Sequence, residues 1–93
     1  GSGSGIDFYG NRRAIVNGAH ISNVHNVIEI HRDSDGIYPT DITISNVVAQ
    51  DSLEKFPEAI NFAGDQSGTK DIYFHNIRLR NFYRVLPFKP MMV

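Results

Sequence analysis

The segment Ile21-Ser22-Asn23-Val24 returns unchanged as Ile44-Ser45-Asn46-Val47 and, with substitutions, as Phe74-His75-Asn76-Ile77. An apolar–polar–Asn–apolar unit recurring every few dozen residues is the pattern of a stacked repeat. The likeness of the second and third copies reaches back to Asp41 and Asp71, 30 residues apart, whereas the first copy precedes the second by 23. A second apolar pair follows each copy: Ile28 and Ile30, Ile60 and Phe62, Leu86 and Phe88. Strands held in register, with loops of varying length between them, would produce such unequal spacing.

Alternation assigns faces to these strands. Ile42 and Ile44, and likewise Ile72 and Phe74, belong to an inner face, with Thr43, Ser45, Tyr73 and His75 outside. In the first copy Ile21 is inward, with His20 and Ser22 outward. Stacking then predicts one outer column of His20, Thr43 and Tyr73 and a second of Ser22, Ser45 and His75. No window carries a useful i, i+3, i+4, i+7 stripe, so helix is expected nowhere except a turn near Ser52 to Lys55. Asn tolerates left-handed backbone, and its amide can bond to a neighbour of the same kind. Asn23, Asn46 and Asn76 are therefore expected to form a structural ladder at one bend. Asn26 and Asn81, with Asp51 between them, would form a second.

With the Asn-Val/Ile corner and the second strand of the form Ile-x-Ile/Phe, the chain resembles the pectate-lyase-like right-handed parallel β-helices. It is most similar to a fragment of a phage tailspike or polysaccharide depolymerase. The resemblance spans roughly residues 14 to 89. It implies an all-β, single-stranded right-handed parallel β-helix (a solenoid) of about three coils, near 14–31, 41–62 and 71–88, assembled as a homotrimer. It implies an extracellular, virion or secreted location and a polysaccharide as partner. The implied role is a structural and recognition fragment supporting trimerisation and carbohydrate contact. The alternative is a β-helix polysaccharide lyase or glycoside hydrolase acting on an acidic polysaccharide.

Composition narrows the field. The chain has 93 residues with 41% hydrophobic content, enough for one small domain. A net charge of −1 gives no reason to expect nucleic acid, and no apolar stretch is long enough to imply membrane insertion. There is no cysteine, which excludes disulfides and thiolate metal sites. Gly1 to Gly5 alternates glycine and serine and reads as a linker left by expression. Residues 82 to 93 are apolar, and burying a side chain such as Phe88 contributes about 1.5–3 kcal/mol, which favours an oligomer.

The candidate chemistry lies on the outer face. Tyr73, His75, Arg78 and Arg80 could bind an acidic sugar, the rings stacking on it and the guanidinium groups pairing with its carboxylate. Lyase chemistry needs a base and a group that neutralises the uronate, which Tyr73 or His75 with Arg78 or Arg80 would provide. Hydrolysis needs two carboxylates about 5–9.5 Å apart. Glu29 is the best single catalytic acid candidate, its expected strand neighbours being Asn61 and Pro87, and Asp33 and Asp35 on the following loop are the acids that could face it. No complete catalytic set is assigned. Asp33-Ser34-Asp35-Gly36 opens like a calcium loop, but Ile44 stands where the closing Glu belongs, so a turn is expected. Gly64 to Lys70 lacks phosphate-loop spacing, and His25 and His31, six apart, make no metal site by spacing alone. No metal or other cofactor is expected.

Overall fold

The computed structural model describes residues 4–51 and 59–82. Six strands follow one another: β1 (Ser4–Tyr9), β2 (Arg12–Ser22), β3 (Asn26–His31), β4 (Thr40–Gln50), β5 (Ile60–Phe62) and β6 (Lys70–Arg80). Odd strands form one parallel sheet in the order β1-β3-β5, and even strands form a second in the order β2-β4-β6. Ser4 and Gly5, read above as linker, belong to β1. The turn expected near Ser52 to Lys55, and Leu86, Pro87 and Phe88 of the last expected pair, lie outside the described residues.

The two sheets bury a shared core. Phe8, Ile28, Ile30, Ile60 and Phe62 come from the first sheet, and Ile42, Ile44, Val47, Ala49 and Ile72 from the second. Phe62 meets Phe74 edge-to-face at 6.3 Å, joining the sheets through their third strands. In β4 the buried positions are 42 and 44, then 47 and 49. The alternation changes phase at Asn46, whose φ of 56° is left-handed. One left-handed residue bends the strand and uses up a position, so inward-facing residues move from even to odd numbers. The same shift takes the inner face of β2 from Ala14 and Val16 to Ala19 and Ile21, and that of β6 from Ile72 and Phe74 to Ile77 and Leu79.

These bends recur every five residues and line up across the second sheet. Arg13, Asp41 and Asp71 occupy the first left-handed column, Gly18, Asn46 and Asn76 the second, and Asn23, Asp51 and Asn81 the third. Asx residues and glycine fill eight of these nine places because their left-handed cost is lowest. Gly18 has a φ of 96° and open space where a Cβ would stand. Gly68 is needed for a different reason: an added Cβ would come within 2.4 Å of the Tyr38 ring packed on it.

This architecture corrects the expectation of a right-handed, three-coil β-helix solenoid with a tailspike-like body. The described strands make two open three-stranded sheets in a compact body of 32 × 25 × 24 Å, with no multi-coil curl. The repeated tetrapeptide misled for a definable reason. Its two identical copies are not register partners: Ile44 lies beside Val16, whereas Ile21 lies beside Ala49. The echo records the residue types that suit a left-handed bend, which occurs more than once in each strand, and it does not mark the period of a coil.

Candidate metal centre

Glu29 sits on β3 between Ile28 and Ile30, both fully buried, so its carboxylate is turned to the outer face of the first sheet. His31, two residues on, shares that face. Parallel pairing sets Asp7 of β1 opposite Glu29 and Tyr9 opposite His31, with Asn61 of β5 on the other side of Glu29. Four side chains thus meet in a two-by-two patch on adjacent strands, which in a sheet lie about 4.8 Å apart.

The contacts within the patch are specific. His31 Nε2 and Asp7 Oδ1 are 2.8 Å apart. A carboxylate can only accept, so the Nε2 proton donates. The Tyr9 ring meets the imidazole edge-on, centroids 4.3 Å apart, and limits its rotation. Asn61 Nδ2 donates to Glu29 Oε2 at 2.9 Å and Ser4 Oγ to Glu29 Oε1 at 3.3 Å, so neighbours on both sides orient the carboxylate. One donor atom from each of Asp7, Glu29 and His31 falls within 4.8 Å of the other two. The side chains of His31 and Asp7 are 21% and 48% exposed, which leaves the group open to solvent from one side. One imidazole and two carboxylates, with Glu29 oriented by Asn61 and Ser4, are a donor set for a divalent cation of the zinc class.

The sequence-derived site residues do not gather here. Tyr73, His75, Arg78 and Arg80 are exposed on β6 in the second sheet, and Glu29 is on the first. The catalytic candidates Tyr73, His75 and Glu29 are therefore divided between two sheets. Tyr73 stands beside Thr43 and His75 beside Ser45, whereas Arg78 is paired with Val48 and Arg80 with Gln50. The Tyr73 hydroxyl reaches Asp71 Oδ1 at 3.5 Å. In β2 the expected columns are displaced: His20 lies beside Val48 and Ser22 beside Gln50, with Ile15 and Asn17 in the places assigned to them.

Among the ladder residues, Asn76 Nδ2 donates to Asn46 Oδ1, and Asn46 Nδ2 to Asn17 Oδ1, each at 2.8 Å. Asn23 stands one bend further on, in the column of Asp51 and Asn81, where Asn81 Nδ2 donates to Asp51 Oδ1 at 2.8 Å. Asn26 belongs to the other sheet, beside Ser4. Asp33 closes a turn, its Oδ1 accepting from the amides of Asp35 and Ile37 at 2.9 and 2.8 Å. In the loop after β5, Asp65 accepts from the Tyr38 hydroxyl and from Ser67. The Tyr38 bond, followed by those from Ser67, holds the Asp65 carboxyl below its usual range.

Asp7 is the residue that reading the sequence missed. It lies ahead of the first expected strand, so Glu29 was left without an acidic neighbour. The signal was present in Ile6-Asp7-Phe8-Tyr9, whose apolar–acid–apolar–polar order repeats in Ile28-Glu29-Ile30-His31.

No protein-family model, curated protein or solved structure matches this chain. The tailspike-like, polysaccharide-directed role, with its lyase or hydrolase alternative, rested on a family resemblance that neither the comparisons nor the architecture support, and it is withdrawn. Among the described residues no helix is long and apolar enough to cross a membrane.

Proposed function

We propose that this chain is a divalent-cation-binding β protein, with Asp7, Glu29 and His31 as ligands to a zinc-class ion. The observation that carries the reading is the convergence of an imidazole and two carboxylates from β1 and β3 to within 4.8 Å, with Glu29 held by Asn61 and Ser4. The nitrogen donor favours zinc-class ions over magnesium and calcium, which prefer all-oxygen shells. The ion would displace the proton between His31 and Asp7 and tie β1 to β3. Affinity would then fall with decreasing pH, because every ligand must be deprotonated.

Titration calorimetry and thermal unfolding with zinc, and with magnesium as control, test this reading. A ligand at about 100 times its Kd stabilises the folded state by about 2.7 kcal/mol. Wild type should show a saturable zinc-dependent rise in Tm that His31→Ala and Asp7→Asn each abolish. A zinc response that survives both substitutions would place the ion elsewhere and sink the proposal.

A second reading, self-association, rests on a separate observation. Parallel sheets are usually covered on both faces, yet the second sheet exposes Ile15 at 79%, Tyr73 at 53% and Val48 at 41%. Covering that face with a second copy would bury these three side chains. Sedimentation equilibrium giving a monomer at every concentration would reject it. An oligomer dissociated by Ile15→Lys would support it.

A further inference from the structure

We infer that Asn17–Gly18 is a self-modification site, at which the Asn17 amide closes onto the Gly18 backbone nitrogen and is converted to a carboxylate. Two independent features single out this asparagine. The first is steric. The chain has eight asparagines, and the other seven precede Arg12, Val24, Val27, Val47, Phe62, Ile77 and Phe82. A bulky following side chain obstructs the approach of its own backbone nitrogen to the amide carbon. Gly18 presents no such obstruction: no heavy atom of any residue beyond its chain neighbours lies within 4 Å of its would-be Cβ, and both residues are exposed.

The second feature is electrostatic and comes from the ladder. Asn46 Nδ2 donates to Asn17 Oδ1 at 2.8 Å. That bond polarises the carbonyl under attack and is placed to hold the negative charge that develops on Oδ1 at the tetrahedral stage, as an oxyanion donor does. Because nucleophile and electrophile are neighbours in the chain, the step is intramolecular. Asn46 serves as an internal control. Its own Oδ1 accepts from Asn76 Nδ2 at the same 2.8 Å, but Val47 follows it, so it has the donor without the open nucleophile.

The chemistry needs only water. A bond forms between Gly18 N and Asn17 Cγ, and the Cγ–Nδ2 bond breaks. The Gly18 amide proton passes through solvent to the departing nitrogen, which leaves as ammonia. Water then opens the five-membered imide. Opening at Cγ gives aspartate, which still accepts from Asn46. Opening at the backbone carbonyl gives the isoaspartyl linkage, which adds a methylene to β2 and shifts Ala19 and Ile21 from their places beside Val47 and Ala49.

Timed incubation of the folded protein in mildly alkaline buffer, followed by peptide mapping, tests the proposal. The Asn17 peptide should gain about one dalton, ahead of every other asparagine. Asn46→Gly removes the donor at a left-handed position that glycine accepts without strain, and circular dichroism would check that the variant remains folded. Conversion at Asn17 should then slow several-fold. Merely loosening the sheet would accelerate it, so an equal or faster rate in Asn46→Gly overturns the donor's role. Failure of Asn17 to convert in the folded protein, while the urea-unfolded chain converts, overturns the site itself.

Discussion

The two sheets use the same parallel pairing for different ends. In the second sheet each long strand is bent at left-handed positions five residues apart, and side chains at the bends bond to one another across strands, Asn76 to Asn46 and Asn81 to Asp51, with Asn17, just before the bend at Gly18, accepting from Asn46. In the first sheet, positive φ values fall only outside the strands, at Gly10 beyond β1, for example. Its outer face gathers dissimilar groups, Asp7, Glu29, His31, Tyr9 and Asn61. Like residues stacked in register satisfy one another and hold a shape, whereas unlike residues in register leave ligand atoms directed at a common point. The second sheet is thus a frame built by repetition, and the first carries the proposed cation site.

The strongest test of this contrast concerns what the sheets share. Ile28 of the first and Ile44 of the second are both fully buried in one core. Ile28→Ala and Ile44→Ala should each cost about 2–5 kcal/mol in urea denaturation. If one sheet were peripheral, its substitution would cost under about 1 kcal/mol, as surface changes do, and the shared core would be the wrong description.

The next effect separates bend from bond. Asn46→Leu forces a branched side chain into left-handed backbone and removes both ladder contacts, an expected loss of about 1–3 kcal/mol. Asn46→Gly keeps the backbone geometry and should cost clearly less. Equal losses for the two variants would mean that the amide, and not the φ of 56°, carries the stability of the bend.

The second sheet was the more legible because its determinants are local. A left-handed bend selects Asn, Asp or Gly at one position, and burial selects Ile or Val at its neighbours, so the side-chain faces of β4 and β6 can be read from 41–47 and 71–77 alone. The register of β2 could not be read so. Val16-Asn17-Gly18-Ala19 shares the bend of Ile44-Ser45-Asn46-Val47 without sharing its spelling, and Ile21-Ser22-Asn23-Val24 shares the spelling in another register. The metal candidate was less legible still. Glu29 and His31 were noticed separately, but their conjunction depends on pairing with Asp7, 22 residues earlier in a segment that composition marked as adjoining a linker. Local chemistry is written in neighbouring letters, whereas a site across strands depends on register, which loop lengths decide.

A smaller effect distinguishes the site from the frame in the absence of metal. His31→Ala removes one partly exposed bond to Asp7 and the edge-on contact with Tyr9, an expected cost of about 1 kcal/mol or less. Ser45→Ala on the frame removes a 3.3 Å bond to the Val16 carbonyl and should cost a similar amount. Added zinc should raise the Tm of Ser45→Ala as it does that of wild type and leave His31→Ala unchanged. A parallel zinc response in both variants would erase the functional distinction between the sheets.

The smallest expected effect lies in the loops that join the sheets, where Tyr38 before β4 meets Asp65 before β6. The Tyr38 hydroxyl is the largest cause of the lowered Asp65 pKa, ahead of the backbone and side-chain bonds from Ser67 and the charge of Arg32. A carboxyl whose folded pKa lies below its unfolded value of 3.8 contributes stability that is present above 3.8 and is lost as pH falls through the folded pKa. Tyr38→Phe keeps the ring against Gly68 but removes the donor, which raises the folded pKa back toward 3.8. Urea midpoints should therefore show the variant slightly less stable than wild type at neutral pH, with the gap closing below 3.8. Solvent screening at this exposed carboxylate keeps the gap small. A gap that is unchanged across the acid range would assign the role of Tyr38 to packing on Gly68 rather than to a charged contact between the two loops.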